Sequence, residues 1–294
     1  MSDANSMNET MALPNLERQP FEPRSLKSIV LSTITIICAV VACVPLFSVL
    51  IMLIYRGGKR FSLEIFYALP PTAFETGGGF GNAIVGTLFM VGVAGLLSVP
   101  FGILAAIYLA DLGPYSKVAN IARFCAKTMT GLPSILAGVF AYAAVVLTMG
   151  TYSAWAGGIA LSLLMIPTVM LTAEEAIKMV PPPMKEAAFG MGCTPTQAML
   201  KVTLPVATPG IITGVVLAVA RAAGETAPLL FTALFSDYWL QPNEPTASLA
   251  VLIYNYSGMP FENQIELAWV ASLVLVVLVF ILNLISRAIA QRSK

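Results

Sequence analysis

Arg221 and Glu225 are the only charges inside the long apolar run AVARAAGETAPLLF of this 294-residue chain. Four residues apart on a helix, they share one face, where guanidinium and carboxylate neutralise each other. Arg221 lies ten residues past Ile211, which is ~15 Å of helix and close to the middle of a bilayer. A charge at that depth costs ~3 kcal/mol or more. Two readings account for it. The pair either holds helices in register as a buried ion pair, or its face lines a pathway. In the second reading Arg221 offers a planar, permanently charged donor fork to an oxyanion. Glu225 then holds the guanidinium while the site is empty, with Thr226 beside it. Gly224 allows close packing or local unwinding, and Pro228 frees a carbonyl about one turn before it.

Little else in the chain could do chemistry. It has no histidine, which removes imidazole acid–base catalysis and most zinc sites. It has no G-x-x-x-x-G-K-[ST] loop to cradle ATP phosphates and no G-x-S-x-G. Cys38, Cys43, Cys125 and Cys193 lack metal-ligand spacing and read as structural thiols. No catalytic residue, metal site or cofactor is expected, and any ATP must be handled by a partner.

The stretch Pro181–Gly210, PPPMKEAAFGMGCTPTQAMLKVTLPVATPG, reads as two short polar helices between apolar segments. Prolines before Met184 suit a helix start. Gly192 suits a left-handed stop. Thr194, Pro195 and Gln197 form a capping-box pattern, and Pro205 is expected to end the second helix. Within this stretch Glu186, Ala187, Ala188, Gly192, Val202, Leu204 and Pro205 fit EAA-x3-G-x9-I-x-LP, with Val202 in place of isoleucine. Small Ala187 and Ala188 let a helix approach a partner's groove closely, and Glu186 can support the helix start or meet a base opposite. A bare E-A-A is most often an ordinary solvated helix; the added spacing reverses that preference.

The positioning elements belong to a membrane protein. Hydrophobic residues make up 57% of the chain and charged residues 11%, far below the usual ~25% charged of soluble domains. A net charge of +1 gives no field for nucleic acid. Six spans are expected, at about 26–54, 82–109, 131–147, 154–171, 211–235 and 266–289. Pro100 is expected to kink the second. The apolar run ASLAVLIYNY from Ala247 is too short to cross and suits an interfacial or re-entrant segment. Apart from Arg221, twelve Lys and Arg fall on one side of these spans and three, Arg56, Lys59 and Arg60, on the other. That imbalance places both termini and Pro181–Gly210 in the cytosol. Residues 1–25 read as a flexible cytosolic tail and 26–294 as the membrane domain, with its core at about 80–290 and the coupling loop at 173–206.

The spaced EAA pattern resembles the inner-membrane permeases of bacterial ABC importers, whose EAA loop docks into a groove on a cytosolic ATPase. The run RAAGETAPLLFTA, with VPFGILAAIYLADLG and GLPSILAGVFAY upstream, narrows the resemblance to the phosphate (Pst-type) importer permeases from about residue 80 onward. The resemblance implies an all-α type I ABC importer permease fold with six transmembrane helices in a bacterial inner membrane. It implies phosphate as the transported substrate and Arg221 and Glu225 as pathway residues. It also implies a second permease subunit (PstC-like), an ATPase dimer (PstB-like) and an external phosphate-binding protein (PstS-like). The alternatives are a permease for phosphonate, sulfate or molybdate, or a self-sufficient secondary transporter. The chain shows no second copy of the 181–210 pattern, which disfavours the latter.

Overall fold

The computed structural model describes residues 23–292 apart from 73 and 76, and the regular elements among them are all helical. The described residues fall into two compact units that divide after Met52. The expected tail falls almost wholly on residues 1–22, outside the described residues, and helix α1 already begins at Pro23 and runs to Lys59. Its apolar length and the tolerated Pro45 suit a membrane span. Among the described residues five helices are long and apolar enough to cross a bilayer, and one bent pair counted as a broken span makes six.

In the second unit, α2 (Gly81–Ile107) ends in a π turn over Tyr108–Leu112 and runs through Pro100 unbroken. The loop-or-surface helix expected next is α3 (Lys117–Gly131), capped by Ser116, whose hydroxyl accepts from Ala119 N at 3.1 Å. Pro133 holds Leu132 extended, with φ −73° and ψ 143°, so α3 stops there. The third span follows as α4 (Ser134–Ala141), a π turn over Tyr142–Val146 and α5 (Leu147–Met149), bent by 107° from α3. Beyond a tight turn at Gly150, α6 runs Ala154–Lys178, well past the expected end at Leu171.

The polar stretch folds as α7 (Pro182–Gly190), α8 (Pro195–Ala198) and a π turn over Met199–Thr203 that continues into α9 (Leu204–Ala223). Pro205 therefore does not end a helix, contrary to the expectation. The π turn bonds Leu204 N to Met199 O, i to i+5, and so widens the helix where a proline ring would strike the preceding turn. The fifth span is shorter at its other end, stopping at Ala223 and not near Phe235. Pro228 cannot donate back to Gly224, and the chain breaks there before α10 (Ala227–Leu230). The apolar decapeptide forms α11 (Leu249–Ser257), whose residues Leu249 to Leu252 are buried. It packs on α12 (Glu262–Arg292) and α2, as a short helix embedded against longer ones.

The centre of the second unit is α6, packed against α2 and α9. Along α9, Gly210, Gly214, Ala218 and Ala222 recur every fourth residue and, with Gly210 excepted, are buried. A Cβ at Gly210 would meet Ala176 and one at Gly214 would strike Thr172. Backbones approach this closely only where the facing residues are small, and van der Waals contact then replaces the hydrophobic drive that lipid removes.

Candidate functional site

A strip of α9 beside this packed face is open. Val206, Thr213, Leu217, Arg221 and Gly224 are exposed along it. Arg221 occupies the last turn of α9, where the carbonyl end of the helix favours a cation. The backbone turns at once: Gly224 N donates to Arg221 O at 3.1 Å and Glu225 N to Ala222 O at 3.2 Å. The expected pair forms across this break, with Arg221 Nε donating to Glu225 Oε1 at 3.4 Å. The two side chains differ in setting, Arg221 being 55% exposed and Glu225 16%. Among the described residues the Nη groups of Arg221 make no hydrogen bond. The fork is therefore bonded through Nε alone among the described residues. Thr226 follows at the start of α10, its carbonyl accepting from Leu229 N at 3.1 Å and Leu230 N at 3.2 Å.

The broken segment is held from behind. Pro228 and Leu229 are buried, and Thr232 Oγ1 donates to Pro228 O at 2.8 Å. A Cβ on Gly138 of α4 would come within 2.6 Å of Pro228 Cα, so only glycine lets the third span support the segment so closely. The segment that follows Arg221 is thus packed directly against the third span.

The coupling stretch is built largely as its spacing predicts. Gly192 has φ +85°, a left-handed stop that suits glycine, with Gly192 N donating to Phe189 O at 2.9 Å and Cys193 N to Ala188 O at 3.1 Å. The capping box is complete, Thr194 Oγ1 accepting from Gln197 N and Gln197 Oε1 from Thr194 N. Glu186 and Ala187 are exposed and Pro205 is exposed, while Leu204 is half-buried. Ala188, however, is only 1% exposed. Its small side chain lets α7 sit close on this chain's own α8 and π turn, so the outward face is left to Glu186 and Ala187.

A second charged cluster escaped the sequence reading. Glu174, on α6 and 5% exposed, accepts from Arg123 Nε at 2.7 Å and from Lys178 Nζ at 2.5 Å. Arg123 also donates to Leu109 O at 2.6 Å and Pro114 O at 2.8 Å. Lys185 Nζ meets Asp111 Oδ1 at 2.7 Å. The i,i+4 spacing of Glu174 and Lys178 is visible in the sequence; the partners from α3 and α2 are not, being 51 and 74 residues away from theirs.

With these two sites in view, residues 98–294 match the family of binding-protein-dependent transport system inner membrane components. The chain belongs to this family. The match spans both the coupling stretch and the Arg221 break. The phosphate transport system permease protein PstA of Haemophilus influenzae is 41% identical over 84% of this chain and 87% of its own length. That of Pasteurella multocida is 37% identical over 93% and 98%. Among solved structures, an alginate ABC transporter bound to its periplasmic protein aligns with TM-score 0.66 at 17% identity, covering 93% of this chain and 98% of that one. The inward-facing MetNI methionine transporter aligns with TM-score 0.60 at 21% identity, covering 72% and 94%. The family member described here is thus a multi-pass membrane protein with the all-α fold of type I ABC importer permeases.

Proposed function

We propose that this chain is the PstA-type permease subunit of an ATP-driven phosphate importer of the bacterial inner membrane. It forms part of the phosphate pathway and has no catalytic step of its own. ATP is hydrolysed by a separate PstB-like ATPase dimer docking on the outward face of α7, through Glu186 and Ala187 and the turn at Gly192. A PstC-like sister permease completes the pathway, and a PstS-like binding protein delivers phosphate outside. The names of the relatives favour phosphate, and the charge imbalance of the loops supports a cytosolic side for α7.

The observation that carries the reading is the half-exposed guanidinium on the open face of α9. A permanent cation cannot rest against lipid, so that face meets a pathway or a partner lining one. Glu225 sharpens the cargo. Phosphate near neutral pH carries an O–H that a carboxylate can accept, whereas sulfate offers only acceptors and is repelled. The test is uptake of labelled phosphate by the assembled complex in vesicles. Arg221→Ala should abolish uptake while the ATPase still co-purifies; unchanged uptake would reduce the pair to a structural contact.

A further inference from the structure

The coupling helix α7 leaves two traces in the membrane domain, and the motif accounts for only one of them. The first passes through the Gly192 turn and the capping box into α8, the π turn at Met199–Thr203 and α9, which ends beside Arg221. The second is a single ion pair. Lys185, in the middle of α7, reaches Asp111 in the π turn that closes α2, and neither side chain is more than 28% exposed. That same π turn is held from its other side, because Leu109 O accepts from Arg123 Nη2 at 2.6 Å. Arg123 in turn is fixed to Glu174 on α6. The cytosolic end of α2 therefore lies between a fixed anchor on α6 and a contact to the helix that meets the ATPase.

An ion pair suits a contact that must survive movement. Packed side chains lose up to about half of their attraction within about 1 Å of separation, while a charge pair weakens only gradually with distance and tolerates rotation of one partner. A π turn at the end of a span also marks backbone that is less tightly wound than the α-helix around it. We propose that Lys185 and Asp111 are positioning residues that strap the coupling helix to the second span. The strap makes α2 and α9 respond together when the ATPase displaces α7, and so sets how much transport each ATP hydrolysed yields. The inference rests on the importer reading above but concerns residues outside its motif and its Arg221 site.

A partly exposed ion pair adds little to folding stability, so its loss should be seen in coupling and not in assembly. The experiment uses the whole complex, with its sister permease, ATPase and binding protein, in sealed vesicles. ATP hydrolysed and labelled anion accumulated are measured together, with phosphate, sulfate and phosphonate run in parallel. Asp111→Asn and Lys185→Met should each assemble and hydrolyse ATP yet move about fivefold less anion per ATP. The double variant Asp111→Lys with Lys185→Asp should recover most of the loss. An unchanged ratio in both single variants, or a loss that the exchanged pair does not repair, would overturn the strap. So would failure of either single variant to assemble, since the pair would then be an assembly contact. A wild-type complex that carries sulfate or phosphonate in place of phosphate would refute the cargo alone, and the strap would still be scored on the anion carried.

Discussion

Glu174 and Glu225 each accept from an arginine Nε, at 2.7 Å and 3.4 Å. Around Glu174 the bonding is dense: a second cation bonds the same oxygen, and the Nη groups of Arg123 donate to two backbone carbonyls and to Asn120 Oδ1. Around Glu225 it is open, since Arg221 is half-exposed and bonds through Nε alone. The sequence motif is similar, a carboxylate and a cation near the end of an apolar helix. The difference is what the backbone provides. Arg123 lies over a π turn and the Pro114 loop that offer carbonyls, whereas Arg221 sits where α9 ends and its carbonyls turn inward. The Glu174 cluster ties three helices' backbones and side chains together, whereas the Arg221–Glu225 pair is bonded on one side only.

That contrast can be broken at either end. The largest effect is expected at the Glu174 cluster. Glu174→Ala leaves Arg123 and Lys178 without their shared carboxylate and should cost about 3 kcal/mol of stability, seen as a lowered midpoint of thermal unfolding in detergent. If unfolding is unaffected, the cluster is not a frame. Next comes Arg221→Ala, expected to reduce phosphate uptake on the order of 100-fold while leaving thermal unfolding near wild type. Arg221→Lys should recover only part of it, because a point charge does not replace a planar fork. A smaller effect belongs to Glu225→Gln, which should narrow the preference for phosphate over sulfate by about tenfold in competition uptake. Loss of all uptake with the preference intact would count against the carboxylate as selector. A small cost in folding is expected at Gly192→Asp. A side chain at its left-handed φ costs about 1 kcal/mol, yet the variant should lose co-purification of the ATPase, because the turn fixes the pose of α7. Normal co-purification and uptake would show that the turn only ends a helix.

The local parts of both sites are legible in the sequence because short-range chemistry determines them. Thr194 with Gln197, and Gly192 as a stop, follow from cap geometry and came out as read. Four-residue spacing likewise put Arg221 and Glu225 in reach, even though a helix break intervenes. What the chain order hides is tertiary. Nothing near Pro205 announces that a π turn will carry the helix past it, nor does the apolar run to Phe235 reveal a stop at Ala223. Hydropathy sees lipid compatibility, and GETAPLL is compatible whether helical or not. Ala188 shows the same limit: a small residue suits a close approach on either side, and only the fold turns it inward. Asp111 with Lys185 and Arg123 with Glu174 depend on which helices become neighbours, which no local pattern encodes.

The π turn at Met199–Thr203 has a consequence for rotational phase. An i to i+5 turn holds one residue more than an α turn, equivalent to ~100° of rotation about the axis. Above it, Gly210 and Gly214 lock the angle of α9 against α6. Below it, the Gly192 turn and the Thr194 box lock α8 against α7, which Lys185 holds to Asp111. A regular α-helix through these same residues would set the two ends about 100° out of step, whereas deleting one residue between Met199 and Thr203 would let the turn tighten to α and keep them in phase. In the first case either Arg221 would leave its exposed strip or α7 would swing away from Asp111. The wider winding of this turn, and not only the identity of its residues, therefore sets how α7 and the Arg221 guanidinium are oriented relative to each other.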